Sequence, residues 1–193
     1  TNQWYPAIYE GTIPVEPEKT PEEGYHFTED MTKKAIKWVR QQKALMPDKP
    51  FFMYFAPGAT HAPHHVPKEW ADKYKGKFDD GWDKYRERVF ARAKAKGWIP
   101  KDAQLTPRPA SMASWDSIPE AEKPFQRRLM EVFAGFTEHA DYNAGRVIDE
   151  IEKQIGLTPA PVTWPVGLSG DFRGVAHRAG DGGFTRFTRT SHG

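Results

Sequence analysis

The run from Pro50 to Pro67, PFFMYFAPGATHAPHHVP, limits the possible folds more than any other stretch of the chain. FFMYF is apolar at every position, so it needs cover on both faces, the pattern of a central strand in an α/β sheet. Upstream, Met31, Ala35, Trp38, Val39, Gln42 and Leu45 follow helical spacing and predict an amphipathic helix over Thr28–Leu45. Thr28 is the predicted N-cap, Glu29 and Asp30 place negative charge in the first turn, and Pro47 ends the helix. A helix, the turn MPDKP and a doubly buried strand make half of a βαβ unit. Ligand sites in such sheets lie beyond the carboxyl ends of the strands. The loop Ala56–Pro67 occupies that position.

Three of the seven histidines, His61, His64 and His65, fall in this loop. Three readings of THAPHH stand side by side. A zinc site needs about three converging ligands. The loop offers no HExxH and no neighbouring carboxylate, which weighs against it. A solvated loop whose histidines satisfy backbone groups is the plain structural reading. The functional reading places an imidazole at a strand end, where a pKa of ~6.5 lets it bind an anionic oxygen or protonate a leaving group.

The rest of the chain organises around this element. Thr1–Glu23 is rich in Pro, Glu and Thr and predicts an extended surface connection with short pairings around Tyr5–Tyr9 and Thr12–Val15. Lys68–Tyr74 predicts a short helical turn, and Trp82 to Lys96 a charged helix closed by Gly97, whose solvated face is the plain reading of the Lys68–Lys101 charge. A long helix is expected from near Pro119. Its predicted buried stripe is Phe125, Leu129, Val132, Phe133, Phe136, Ala140, Val147, Ile148, Ile151 and Ile155, with a kink possible at Asn143 and Gly145.

Composition changes after Gly156. Residues 157–193 hold no Lys and no Glu but four Arg, two Asp and seven of the 16 Gly, so this Gly/Arg-rich tail alone carries the net charge of +2. A flexible tail, an RGG-like segment and out-of-frame translation compete as explanations. The abrupt loss of lysine favours the third. The near-neutral balance gives no general attraction to nucleic acid or an anionic membrane. With no Cys, disulfides and thiolate chemistry are excluded. No apolar run approaches the ~18 residues of a membrane span. The opening TNQWYPAIYEG has no initiator Met or leader, so the chain is expected to be an interior piece of something longer. Neither the compartment nor the oligomeric state follows from these residues.

Several separate blocks carry a family resemblance: TNQWYPAIYEGTIPVEPEKTPEEGYHFTEDM, PFFMYFAPGATHAPHHVPKEWADKYKGKFDDGWDKYRERVFARAKAKGWIP and MEVFAGFTEHADYNAGRVIDEIEKQIG. Residues 1–156 resemble the central part of the catalytic domain of bacterial type I arylsulfatases, members of the alkaline-phosphatase superfamily. The tail does not. The resemblance implies an α/β sandwich, here partial, with a mixed, mainly parallel sheet flanked by helices. It implies hydrolysis of small-molecule sulfate monoesters by a formylglycine nucleophile and a divalent metal, usually Ca2+, both expected outside this chain. His61 matches the family histidine of the H-x-P element, so the resemblance makes it the catalytic residue, bonding the sulfate or assisting the leaving group. His64 and His65 fall in HAPHH, where they would line the substrate mouth. No metal ligand is assigned to this chain. SGDFRG stands where the family has a D-N-G metal motif, with Phe172 in place of Asn, which leaves Asp171 a poor ligand candidate. The C/S-x-P-S-R motif is missing as well, so the chain alone is expected to be inactive. Two other functions remain open: a phosphate or phosphonate ester hydrolase on the same scaffold, and a non-catalytic anion- or metal-binding module.

Overall fold

The computed structural model describes residues 2–156, together with the backbone of three strands beyond them. The chain opens with a hairpin, β1 (Ile8–Glu10) against β2 (Ile13–Val15), in antiparallel register with Ile8 opposite Val15. Four helices follow: α1 (Phe27–Leu45), α2 (Lys68–Asp72), α3 (Gly81–Ala95) and α4 (Lys123–Ile155). α1 and α2 both lie against α4, which is the spine of the molecule.

The start of α1 differs from the sequence expectation. His26, not Thr28, is the N-cap, and its side chain makes no capping bond. Instead the Phe27 N–H donates to the Gln3 carbonyl at 2.8 Å, and the Thr28 hydroxyl donates to Gln3 Oε1 at 2.8 Å. A residue 24 positions upstream of Phe27 thus satisfies a first-turn donor that a local cap would ordinarily take.

The contact between α1 and α4 is polar as well as apolar. Thr28, Thr32 and Val39 are the buried residues of α1, and Phe136, His139, Asn143, Val147 and Glu150 line the buried side of α4. At its far end Arg40 grips Glu150 with two hydrogen bonds, both 2.8 Å. That guanidinium holds the Glu150 carboxyl down at about 2. α2 approaches α4 at Gly135, where a Cβ would stand 2.7 Å from the backbone of Trp70 and Ala71, so only glycine allows the two backbones this close. α3 begins at Gly81, φ +75°, with its Cα face against the Trp115 ring, and Asp83 accepts the Trp115 N–H at 2.8 Å.

α4 runs for 33 residues without interruption through Asn143 and Gly145, so neither residue ends the helix. Its predicted stripe is only half covered. Phe136 and Val147 are buried, whereas Phe125, Leu129, Phe133, Ile148 and Ile155 stay exposed.

The central strand is the main correction. Phe51–Phe55 is not a strand, and no backbone hydrogen bond joins it to another segment among the described residues. Phe51, Met53 and Phe55 are half-buried, with Phe51 edge-on to Trp38 at 5.4 Å, while Phe52 and Tyr54 are 88% and 85% exposed. The segment has the side-chain alternation of a strand with none of the pairing. The physical reason is that a helix satisfies its own backbone, whereas a strand needs neighbours.

The expected mainly parallel sheet is likewise not formed among the described residues. Apart from the hairpin, the strands are β3 (Thr163–Leu168), β4 (Asp171–His177) and β5 (Phe184–Arg186), an antiparallel meander in the order β3-β4-β5. The residue pattern did not announce these strands. Pro165 sits on β3, at one side of the meander, where a missing N–H is tolerated. The remainder of the 157–193 region lies outside the described residues. Among the described residues no helix is long and apolar enough to cross a membrane.

Candidate functional site

The loop after Phe55 is irregular, with tight turns closed by the His61 N–H on the Gly58 carbonyl and the His65 N–H on the Pro63 carbonyl, both 2.9 Å. Gly and Pro at Pro57, Gly58 and Pro63 forbid a helix here, and the chain does not regain one until Lys68. The three histidines of this loop diverge.

His61 is exposed. Its Nδ1 lies 2.6 Å from the Ala62 carbonyl, so Nδ1 carries the proton and Nε2 the free lone pair. His64 packs edge-on against Phe133 of α4, 5.1 Å between ring centroids. It borders a broad cleft of about 1190 Å³ between α3 and α4, with Phe78, Trp82, Leu129 and Phe133 on the apolar side and Lys77 and Arg92 on the rim. Leu129 and Phe133 of the half-covered stripe of α4 thus form part of the wall of this cleft. His65 turns the other way. Its Nδ1 accepts the Gln3 N–H at 3.3 Å, its ring stacks on Trp4, and its carbonyl is held by His26 Nε2 at 3.1 Å. Burial lowers the His65 pKa, so its ring stays neutral as an acceptor.

Behind His65 lies a cluster that the sequence reading missed. His26 and His139 are both buried, with ring centroids 4.5 Å apart in an edge-to-face arrangement. Trp4 and Trp70 close the two ends, at 4.9 Å from His26 and 5.1 Å from His139. His139 Nε2 meets Glu29 Oε1 at 3.2 Å, and Asn143 donates to the His139 carbonyl at 2.8 Å. Burial drives the His26 pKa down to about 4 against the pull of the His65 carbonyl, and lowers that of His139 against the pull of Glu29. One sequence signal could have flagged His139: it lies in register with Phe136 and Asn143 on the inward face of α4, where an ionisable residue needs a partner. His26 gave no such signal.

The described residues do not fit a metal ion. The loop histidines do not converge, and among the described residues no three His, Asp or Glu side chains come together to hold one.

Comparison with known proteins decides the family. The sulfatase family model matches residues 1–158, that is, everything up to the change of composition after Gly156. The chain belongs to the sulfatase family. This sulfatase chain is 38% identical over 125 residues to an uncharacterised sulfatase of Schizosaccharomyces pombe, a match covering 63% of the chain and 22% of that protein. It is 28% identical over 133 residues to an arylsulfatase of Klebsiella aerogenes, covering 68% of the chain and 27% of that protein. A shorter match of 47 residues, 47% identical, is to a peptide chain release factor 3 of Microcystis aeruginosa and covers 24% of the chain and 8% of that protein. The chain spans about a quarter of the length of the two sulfatases. Membership implies the α/β fold of the family, to which the described part of this chain contributes chiefly helices.

Proposed function

We propose that this chain supplies one wall of an arylsulfatase active site, with His61 as its catalytic side chain. The observation that carries the reading is the state of His61, exposed and engaged only through Nδ1 with its own neighbour's carbonyl. The bare Nε2 can take up a proton and then donate it, either to a sulfate oxygen or to the oxygen that leaves with the organic group. His64 stands at the mouth, where its cleft offers an apolar surface to an aryl group beside cationic Lys77 and Arg92. His65 serves the same mouth from behind, by fixing the loop through Gln3, Trp4 and His26.

The formylglycine nucleophile and the Ca2+ of this reading belong to other parts of the enzyme. The 193-residue chain alone is accordingly inactive. Turnover of 4-nitrophenyl sulfate by the purified chain, lost on His61→Ala in a parallel preparation, would sink the view that the nucleophile lies elsewhere. Titration of the chain with the same ester, followed by histidine-resolved NMR, is expected to shift His61 and His64 and leave His139 unmoved. Tight binding of inorganic sulfate or a divalent cation by the folded chain would favour an anion- or metal-binding module instead.

A further inference from the structure

We propose that His26 and His139 form a proton-sensitive latch that positions the histidine loop, clamping it while both rings are neutral and releasing it when both are charged. The inference rests on the sulfatase reading only in treating the loop as part of a catalytic wall.

The latch is built from two imidazoles that face each other across the α1–α4 contact, 4.5 Å apart. His26 donates through Nε2 to the His65 carbonyl, and His139 donates through Nε2 to Glu29. In each ring the remaining nitrogen, Nδ1, is buried and has no hydrogen-bond partner among the described residues. A proton added to either ring therefore arrives at Nδ1, where no described residue accepts it and burial removes it from bulk solvent. Both rings thus favour the neutral form at the pH where an exposed imidazole is half charged.

The surrounding charges compensate one proton but not two. Glu29 of α1 touches His139, and Glu69 of α2 lies farther off, with Lys73 just past α2 acting against it. Around His26 the titratable neighbours are His139, Glu29 and His65, and the ring of Trp4 packs edge-on against it. One imidazolium can pair with Glu29. A second, at this separation and out of water, is repelled by the first. The cheapest relief is to lift the loop, since His65 and Trp4 are what cover His26. His61 and His64 precede His65 by four residues and one, so lifting His65 displaces both. His26 is a positioning residue: it acts through the His65 carbonyl and touches no reacting atom.

The test is hydrogen exchange of the His61 and His65 amides in the 193-residue chain, corrected for intrinsic rates, at roughly pH 7.5 and roughly pH 5.5. Loop opening should increase at least about tenfold on acidification, the factor that His26 alone contributes when held at about 4 against ~6.5 when free, with the protonation of His139 adding to it. His26→Gln keeps an N–H donor for the His65 carbonyl and cannot take a proton, so its loop should show little pH dependence. An equal rise in His26→Gln, or a flat wild type, overturns the proposal. A second measurement needs no variant: histidine NMR on the wild type should show His26 and His139 holding the Nε2–H form well below the pH at which a free imidazole titrates. Ordinary titration of the buried pair with no change in loop exchange also overturns it. Neither readout involves a sulfate ester, so the latch and the sulfatase reading fail independently.

Discussion

The two flanks of the histidine loop have opposite characters. On the far side, His65 is tied by its ring, its carbonyl and its stacking partner to Gln3, His26 and Trp4. On the near side, Phe51–Phe55 alternates half-buried and exposed side chains, and no backbone bond secures it among the described residues. Both flanks are short and rich in aromatic neighbours. They differ in where their partners come from. The far flank finds them within this chain, while the near flank has the alternation of a strand and needs an adjacent strand to complete it. Burial without pairing leaves peptide groups unsatisfied, and pairing cannot be supplied by helices.

The comparison breaks most directly at Gly135. Gly135→Val drives a branched side chain into the Trp70–Ala71 backbone and should cost about 3 kcal/mol, detaching α2 and with it the secure flank. Urea denaturation followed by circular dichroism reads this. Acid is the next lever. His26 has a folded pKa of about 4, below its unfolded value of ~6.5, so the unfolded chain binds the proton more readily between those limits. Stability is full above pH ~6.5 and falls as the pH drops towards 4, by about 2 kcal/mol between roughly pH 7 and pH 5, and His26→Gln should flatten that slope. Urea midpoints across the pH series measure it.

A smaller effect comes from the clasp of Arg40 on Glu150. Arg40→Ala should lower the melting temperature modestly at neutral pH. The Glu150 carboxyl is held at about 2, below the ordinary carboxylate value, so the contribution is present above that ordinary value and lost as the pH falls towards 2; wild type and variant should converge there in thermal melts. The open flank sharpens the contrast by resisting change. Phe52→Thr with Tyr54→Thr should alter stability by less than about 0.5 kcal/mol and yet raise solubility, as read by light scattering, because the side chains removed face outward.

The helices were legible because helical periodicity is local. The short turn at Lys68, the charged helix near Trp82 and the long final helix all fall within a few residues of their expected places. The start of α1 was misplaced because its cap is provided by Gln3, a contact that no local pattern encodes. The run FFMYF was read as a doubly buried central strand, and the structure leaves it unpaired with Phe52 and Tyr54 exposed. Its pairing was not readable, since a strand's partners are a property of the rest of the sheet. His61, His64 and His65 stood out as a motif, and their divergence did not, because ring directions depend on Trp4, Ala62 and Phe133. The His26–His139 pair was out of reach for the same reason, being made by residues more than a hundred positions apart.

That separation has a consequence for synthesis. Arg40–Glu150 and Glu29–His139 each join residues 110 positions apart. When α1 leaves the ribosome, the surface it will bury has no counterpart, and none exists until most of α4 has been translated. Thr28, Thr32 and His26 suit this interval: they are polar enough to remain hydrated while the nascent chain waits, and they are dehydrated only when α4 arrives.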